Sequence, residues 1–201
     1  VPDALGHAAV RWARRKGIPV ICSHHTRWSA YLSYYRLGIM ERPLWWTLSR
    51  FLQRCDVTLA PSAATLHELE AHGVPRLALW PRGVDRCLFH PSRVSSAWRA
   101  DIARATAHTP VLLLVCRLRW EKGLDTFART VLALRAMDAL PFHTVVVGDG
   151  PARADLQNRL PFATFTGSLS GAALATAYAS SDVFLYPSTP EGWGATCLEA
   201  Q

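Results

Sequence analysis

No two cysteines of this chain stand in a CxxC pair, no apolar run is long enough for a bilayer, and no block gathers the basic residues. The five cysteines, Cys22, Cys55, Cys87, Cys116 and Cys197, are odd in number and widely separated. That excludes a disulfide scaffold and a structural zinc site and fits free, mostly buried thiols in a reducing compartment. The longest wholly apolar runs, such as Val111 to Cys116, fall far short of the ~20 residues that span a membrane. Internal repeats and low-complexity stretches are also lacking. Hydrophobic content of 50% against 18% charged residues describes a globular chain able to bury a core.

The net charge of +7 comes mainly from arginine spread through every region. A dispersed excess suits an anionic ligand or an anionic membrane surface, or is a compositional habit of an arginine-rich proteome. Nucleic acid is disfavoured as a partner, because no basic stripe with interleaved aromatics and no binding module is present. The chain opens at Val1 and stops at Gln201, inside the continuation of an apolar LEA run. We read it as an internal stretch of a longer protein.

Helical patterns alternate with short apolar runs along the whole length, the signature of an α/β fold with parallel strands. GHAAVRWARRKG reads as a helix, IPVICS as a strand, RPLWWTLSRFLQRC as a helix and VTLAPS as a strand. Ser62 caps SAATLHELEAHG, whose Gly73 suits a left-handed stop, and LALWP is strand-like. After the loop RGVDRCLFHP, residues 91–109 read as a connector with one short helix. A second series follows: PVLLLVC, a helix from Leu124, HTVVVGDGP with its Gly-rich turn, ARADLQNRL, ATFTG, GAALATAYASS and DVFLYPS. Two α/β blocks therefore meet near residues 92–109, and the expected domains are 1–107, the C-terminal part of a first domain with its connector, and 108–201, the first part of a second.

Four stretches carry candidate chemistry. In PEGWGATCLEA, Gly192 and Gly194 lie in a strand-to-helix loop, where ligands of α/β folds bind near helix N–H groups. Glu191 stands at the loop's entrance and Glu199 about one turn into the helix, so the two could reach one cleft. Carboxylates accept hydrogen bonds from hydroxyls, which suits sugars joined through phosphate. On spacing alone the plainer account is favoured, with Glu199 supporting the first helical turn and Glu191 a solvated acid. In CRLRWEKG, Arg117 and Lys122 emerge after a buried strand, where cations can clamp a diphosphate; taken singly they are ordinary surface cations. In SHHTRWSAYLSYY, His24 and His25 alternate in extended chain and are poor joint metal ligands. One is expected to face a cleft and the other to pack away, with Tyr31, Tyr34 and Tyr35 in the core or at a rim. The helix with Trp45, Trp46 and Phe51 is read as packed in preference to lying on a membrane interface. In PRGVDRCLFHP, Gly83 allows a close turn and Arg82 or Asp85 could reach a cleft.

Taken in series, SHHT with YLSYY, APSAATLHELEAHG, WPRGVDRCLFHP, VCRLRWEKGLDTF, VVVGDGP, FTGSL, YASSDVFLYPS and PEGWGATCLEA resemble the retaining glycosyltransferases of family 4. Within them, RPLWWTLSRFLQRCDVTLAPSAA and the HT…YLSYY segment are most similar to the plant and cyanobacterial sulfoquinovosyltransferases, and related mannosyltransferases share much of the pattern. The resemblance implies the GT-B architecture: α/β, two Rossmann-like domains with parallel sheets facing a cleft, both incomplete in this chain. It implies a nucleotide-sugar donor, a lipid (diacylglycerol) or saccharide acceptor, no cofactor and no metal, and a chain inactive by itself. Arg117 and Lys122 would bind the donor diphosphate and Glu199 the ribose hydroxyls. Glu191 would meet the donor sugar, with backbone of Gly192, Trp193, Gly194, Ala195 and Thr196 around sugar and phosphate. His25 would touch the sugar from the opposite domain, and backbone from Phe165 through Gly167 to Ser168 would receive the base. The implied reaction is front-face displacement in which the leaving phosphate helps deprotonate the acceptor, so no protein general base is named. The implied location is peripheral to a plastid membrane in a plant or alga, otherwise cytoplasmic and peripheral to the membrane. Three positions depart from the family pattern: Cys116 replaces a usual Gly and is expected to crowd backbone approach to a phosphate, Trp193 replaces a commoner Phe or Leu, and Gln201 a usual Met.

Overall fold

The structure, a computed structural model, describes residues 3–26, 28–81, 83–104, 108–137, 141–188 and 194–201. It divides into two compact units, one up to residue 82 and the other from Gly83 on.

The first unit runs α1 (Ala4–Arg15), β1 (Ile21–Ser23), α2 (Trp28–Tyr34), a 3-10 turn at Gly38–Met40, α3 (Glu41–Leu52), β2 (Val57–Ala60), α4 (Ala63–Ala71) and β3 (Leu77–Leu79). The strands are parallel in the order β1-β2-β3, with Ile21 opposite Val57 and Thr58 opposite Leu77. Asp3 caps α1 by accepting from Gly6 N at 2.6 Å, and Ser62 caps α4 by accepting from Thr65 N at 3.2 Å. Gly73 stops α4 at φ 71°, a conformation glycine reaches without steric cost. Helix α3 turns Trp45, Leu48, Phe51 and Leu52 into a core with Ala60, Leu69 and Val74. Burying a residue such as Leu52 or Leu69 contributes roughly 1.5–3 kcal/mol. Trp46 stays 59% exposed, with the Arg50 guanidinium 4.4 Å over its ring, so the helix packs as expected. The helical turn α2 was not evident in SHHTRWSAYLSYY; Tyr34 and Tyr35 are exposed at its end, and the side chain of Tyr31 lies outside the described parts.

The second unit runs from a 3-10 turn at Pro91–Arg93 through α5 (Ser96–Asp101), β4 (Val111–Val115), a 3-10 turn at Trp120–Lys122, α6 (Leu124–Ala136), β5 (His143–Val147), α7 (Arg153–Arg159), β6 (Thr164–Gly167), α8 (Gly171–Ala179), β7 (Val183–Phe184) and α9 (Ala195–Glu199). All four strands are parallel in the order β6-β5-β4-β7. Every residue of β4 is buried, as expected of a strand covered on both faces. Its pleat divides the core: Leu114 faces Phe127 and Val131 of α6, Leu156 of α7 and Leu160 just after it, while Val111, Leu113 and Val115 face Ala177 and Tyr178 of α8. Strand β7 is only two residues long, shorter than DVFLYPS suggests, but Asp182 N to Val111 O (3.0 Å) and Leu185 N to Leu113 O (2.8 Å) carry its pairing on.

The connector packs with the second unit rather than the first. Arg99 of α5 donates to Ser180 O at 2.8 Å, Asp182 Oδ2 at 3.0 Å and Thr109 O at 2.7 Å, and Trp98 lies against the face covered by α8. The compact unit therefore begins at Gly83, whereas the motif order led to a division at 107/108. All five cysteines are free thiols. Among the described residues no helix is long and apolar enough to cross a membrane.

Candidate active site

In the second unit the chain winds from β4 to β5 to β6 in one direction, then returns to place β7 on the other side of β4. The carboxyl ends of β4 and β7 thus flank the point where the strand order reverses, and the loops leaving such a switch point are where open α/β sheets take ligands. These two loops are the CRLRWEKG stretch and the stretch that leads into α9.

Backbone contacts fix the path of the first loop. Cys116 N donates to Val147 O at 3.1 Å, Leu118 N to Asp149 O at 2.9 Å, and Ala152 N to Leu118 O at 3.0 Å. Two glycines allow this approach: a Cβ on Gly148 would stand 1.9 Å from Cys116 O, and one on Gly150 would stand 2.4 Å from Leu118 O. The loop then tightens into the 3-10 turn holding Lys122, which is 8% exposed beside Glu121 at 7%, and leaves it through Gly123 at φ 74°. Arg119 pairs with Glu121 at 3.5 Å, while Arg117 is exposed. A Cβ on Gly123 would come within 2.4 Å of Pro187 O, so the turn carrying Lys122 is pressed against the chain that follows β7. The Cys116 side chain, expected to crowd this loop, lies in the α6 core cluster with Leu114 and Leu124. A third loop joins the same edge: Gly148 N donates to Gly167 O at 2.8 Å, Gly167 sits at φ 79°, and Phe165 is half-buried against the α6 core.

Helix α9 opens at Gly194, φ 74°, and continues through Ala195 and Thr196 to Glu199, its last residue. The Thr196 hydroxyl is buried and makes no hydrogen bond among the described residues. Tyr178 of α8 donates its hydroxyl to Glu199 Oε2 at 3.2 Å. Burial lifts the Glu199 carboxyl above its ordinary pKa, and the Tyr178 hydrogen bond works against that shift by favouring the ionised form. Burial, then the Glu199 charge, raises Tyr178 in turn, so its hydroxyl stays a donor. Glu191, Gly192 and Trp193 lie outside the described residues, as does Arg82.

His25 belongs to the first unit. Its Nε2 is hydrogen-bonded to Ser23 Oγ, and its ring lies 6.2 Å from that of Trp80, centroid to centroid. His24 extends the β1 ladder through its N–H to Leu59 O at 2.9 Å and is 8% exposed. Burial depresses its pKa, the Glu68 charge opposes this, and His25 adds to it. His24 is thus packed inward and His25 is partly exposed. Asp85 spends its carboxylate on the N–H groups of Cys87 and Leu88, at 2.9 and 3.1 Å, which is a turn-capping role.

The structure thus brings Arg117, Lys122, Phe165, Gly167 and Glu199 into one unit whose strand ends share an edge. Sequence reasoning missed Tyr178, Trp80 and Pro187. The Gly-rich turn after HTVVV was the signal for Gly148 and Gly150; nothing local marks Tyr178, whose partner comes 21 residues later. Among the described residues no group of three potential metal ligands occurs.

Comparison with known proteins finds one family match in each half of the chain. The family described as Glycosyltransferase Family 4 matches residues 2–86, and that described as Glycosyl transferases group 1 matches residues 109–201. A GDP-mannose-dependent alpha-mannosyltransferase of Mycolicibacterium smegmatis is 38% identical over 99% of this chain. The chain belongs to the family 4 glycosyltransferases. A second family relative, the sulfoquinovosyl transferase of Arabidopsis thaliana, is 36% identical, again over 99% of the chain. This family 4 chain spans about half the length of the curated relatives it matches, 51% of the first and 39% of the second. The crystal structure of Anabaena HepE in complex with UDP superposes with a TM-score of 0.75 over 100% of this chain and 55% of that one; at 18% identity it speaks for the fold. That fold is GT-B, α/β with parallel sheets.

Proposed function

We propose that the protein containing this chain moves a sugar from a nucleotide diphosphate donor to an acceptor hydroxyl with retention of anomeric configuration. The observation that carries this reading is the pressing of the Lys122 turn against Pro187, at the switch point between β4 and β7. A buried ammonium on a backbone-braced loop is a fixed charge, and fixed charges stabilise a leaving diphosphate without reorganising as the bond breaks. Arg117 adds a bidentate donor for the phosphate oxygens. In this reading Glu199 accepts from the ribose hydroxyls, the backbone from Gly194 to Thr196 lines the phosphate side, and backbone from Phe165 to Ser168 receives the base. Glu191, with Gly192 and Trp193, meets the donor sugar, and His25 contacts it from the first domain. The departing phosphate takes the acceptor proton, with neither a metal nor a protein base in the step. The acceptor side is then the unit that ends at residue 82, and the donor side is the unit that begins at Gly83 and takes in the connector.

For the donor and acceptor, the motif likeness and the Arabidopsis relative favour UDP-sulfoquinovose and diacylglycerol, with the protein peripheral to a plastid or bacterial membrane. The mycobacterial relative, at 38% identity, favours GDP-mannose and a lipid or saccharide acceptor. The test is turnover of the protein expressed from its complete reading frame on diacylglycerol membranes with UDP-sulfoquinovose, UDP-glucose or GDP-mannose, with Lys122→Ala as control. Turnover with UDP-sulfoquinovose alone, reduced ~10-fold or more in the variant, supports the sulfolipid reading. Preference for GDP-mannose replaces it with the mannosyl reading. Nucleotide-sugar binding without turnover on any acceptor overturns catalysis in favour of a sensor.

A further inference from the structure

We propose that Tyr178 is a positioning residue that aims the Glu199 carboxylate at the ribose of the nucleotide; this rests on the nucleotide-sugar reading above. Glu199 accepts a hydrogen bond from Tyr178, which stands on a different element, α8, so the direction of its carboxylate can be set from outside its own helix.

Tyr178 is suited to set it. It lies in the last turn of α8, 9% exposed, with its ring edge-to-face against Phe89 at 5.9 Å and Phe184 at 5.5 Å. A ring held on two sides offers its hydroxyl in one direction, and that hydroxyl meets Glu199 Oε2 at 3.2 Å. An ionised carboxylate has two oxygens and about four acceptor sites. Tyr178 uses one of them and leaves acceptor capacity for a vicinal diol, the chemical feature that separates a ribose from a deoxyribose. Glu199 is among the residues that line a cavity with Phe89, His90, Pro91 and Tyr178. Burial there penalises its charge, so a fixed donor serves both to orient it and to keep it ionised.

Tyr178→Phe removes the hydroxyl and keeps the ring contacts. Calorimetric dissociation constants would be measured for UDP and 2′-deoxy-UDP, and for GDP and 2′-deoxy-GDP, on the wild type, Tyr178→Phe and Glu199→Gln, each from the complete reading frame. The wild type is expected to prefer the ribonucleotide. Glu199→Gln should erase that preference, and Tyr178→Phe should shrink it by roughly 3–10-fold while leaving the deoxynucleotide's affinity in place. A merely structural role for Tyr178 weakens both nucleotides together and keeps their ratio, and that result overturns the proposal. If Glu199→Gln itself leaves the ratio intact, the assignment of Glu199 to the ribose fails first and the proposal falls with it.

Discussion

Replacing Gly123 by alanine separates two costs that the structure makes distinguishable. Gly123 sits at φ 74°, and a Cβ there would lie 2.4 Å from Pro187 O, a backbone atom, about 1 Å inside the 3.4 Å of ordinary contact. Gly171, at the start of α8, has φ 53° and nothing within 4 Å of the same added atom. Alanine at either position pays the left-handed penalty of roughly 1–2 kcal/mol. Only Gly123→Ala also pays for overpacking, roughly 1–3 kcal/mol, and it must relieve this by moving the Lys122 turn away from Pro187. Urea denaturation should therefore place Gly123→Ala below Gly171→Ala by roughly 1–3 kcal/mol. Calorimetric titration with UDP should show affinity reduced on the order of 10-fold in Gly123→Ala, because catalytic groups displaced by about 1 Å lose much of their effect, and unchanged in Gly171→Ala. Equal losses of stability and of UDP affinity in the two variants would refute the idea that the Gly123–Pro187 contact shapes the diphosphate site.

Arg99→Ala removes the donor to Ser180 O, Asp182 and Thr109 O, from a side chain 13% exposed. Thermal or urea unfolding should show a loss of roughly 2–3 kcal/mol, discounted because Asp182 is 47% exposed; a loss under ~0.5 kcal/mol would mean the connector is not anchored there. His24 has its pKa lowered by burial, so the fold favours its neutral form. The stability this gives is complete above the ordinary value near 6.5 and is lost as pH falls through the depressed folded value. Stability measured at pH 7.5 and pH 5 should therefore drop more in the wild type than in His24→Gln, and parallel drops would contradict the burial argument.

The α/β alternation, the capping Ser62, the stop at Gly73 and the buried run of β4 were legible because each is a local pattern: a period, a cap or a breaker. The loop cations Arg117 and Lys122 were legible from their place after an apolar strand. Three things were not. The side to which the connector docks depends on Arg99 reaching Ser180 and Asp182, over 80 residues away, a pairing with no local trace. Helix α2 follows a strand end rich in His and aromatic residues, whose weak helical preference hid it. The partner of Glu199 was hidden because Tyr178 lies in YASSD, where its spacing reads only as core. Cys116 was expected to crowd a phosphate loop; its side chain turns into the core because the strand's pleat carries on for one more residue.

The loop after β4 keeps its course through main-chain hydrogen bonds to Asp149 and Ala152 and through the hydrogens of Gly148 and Gly150 pressed on its carbonyls. Its path is thus largely indifferent to which side chain stands at 117, an exposed position. For protein engineering that makes the loop a mounting rail: charge at 117 can be deleted, reversed or lengthened, and the effect on ligand preference read without refolding the frame that carries it.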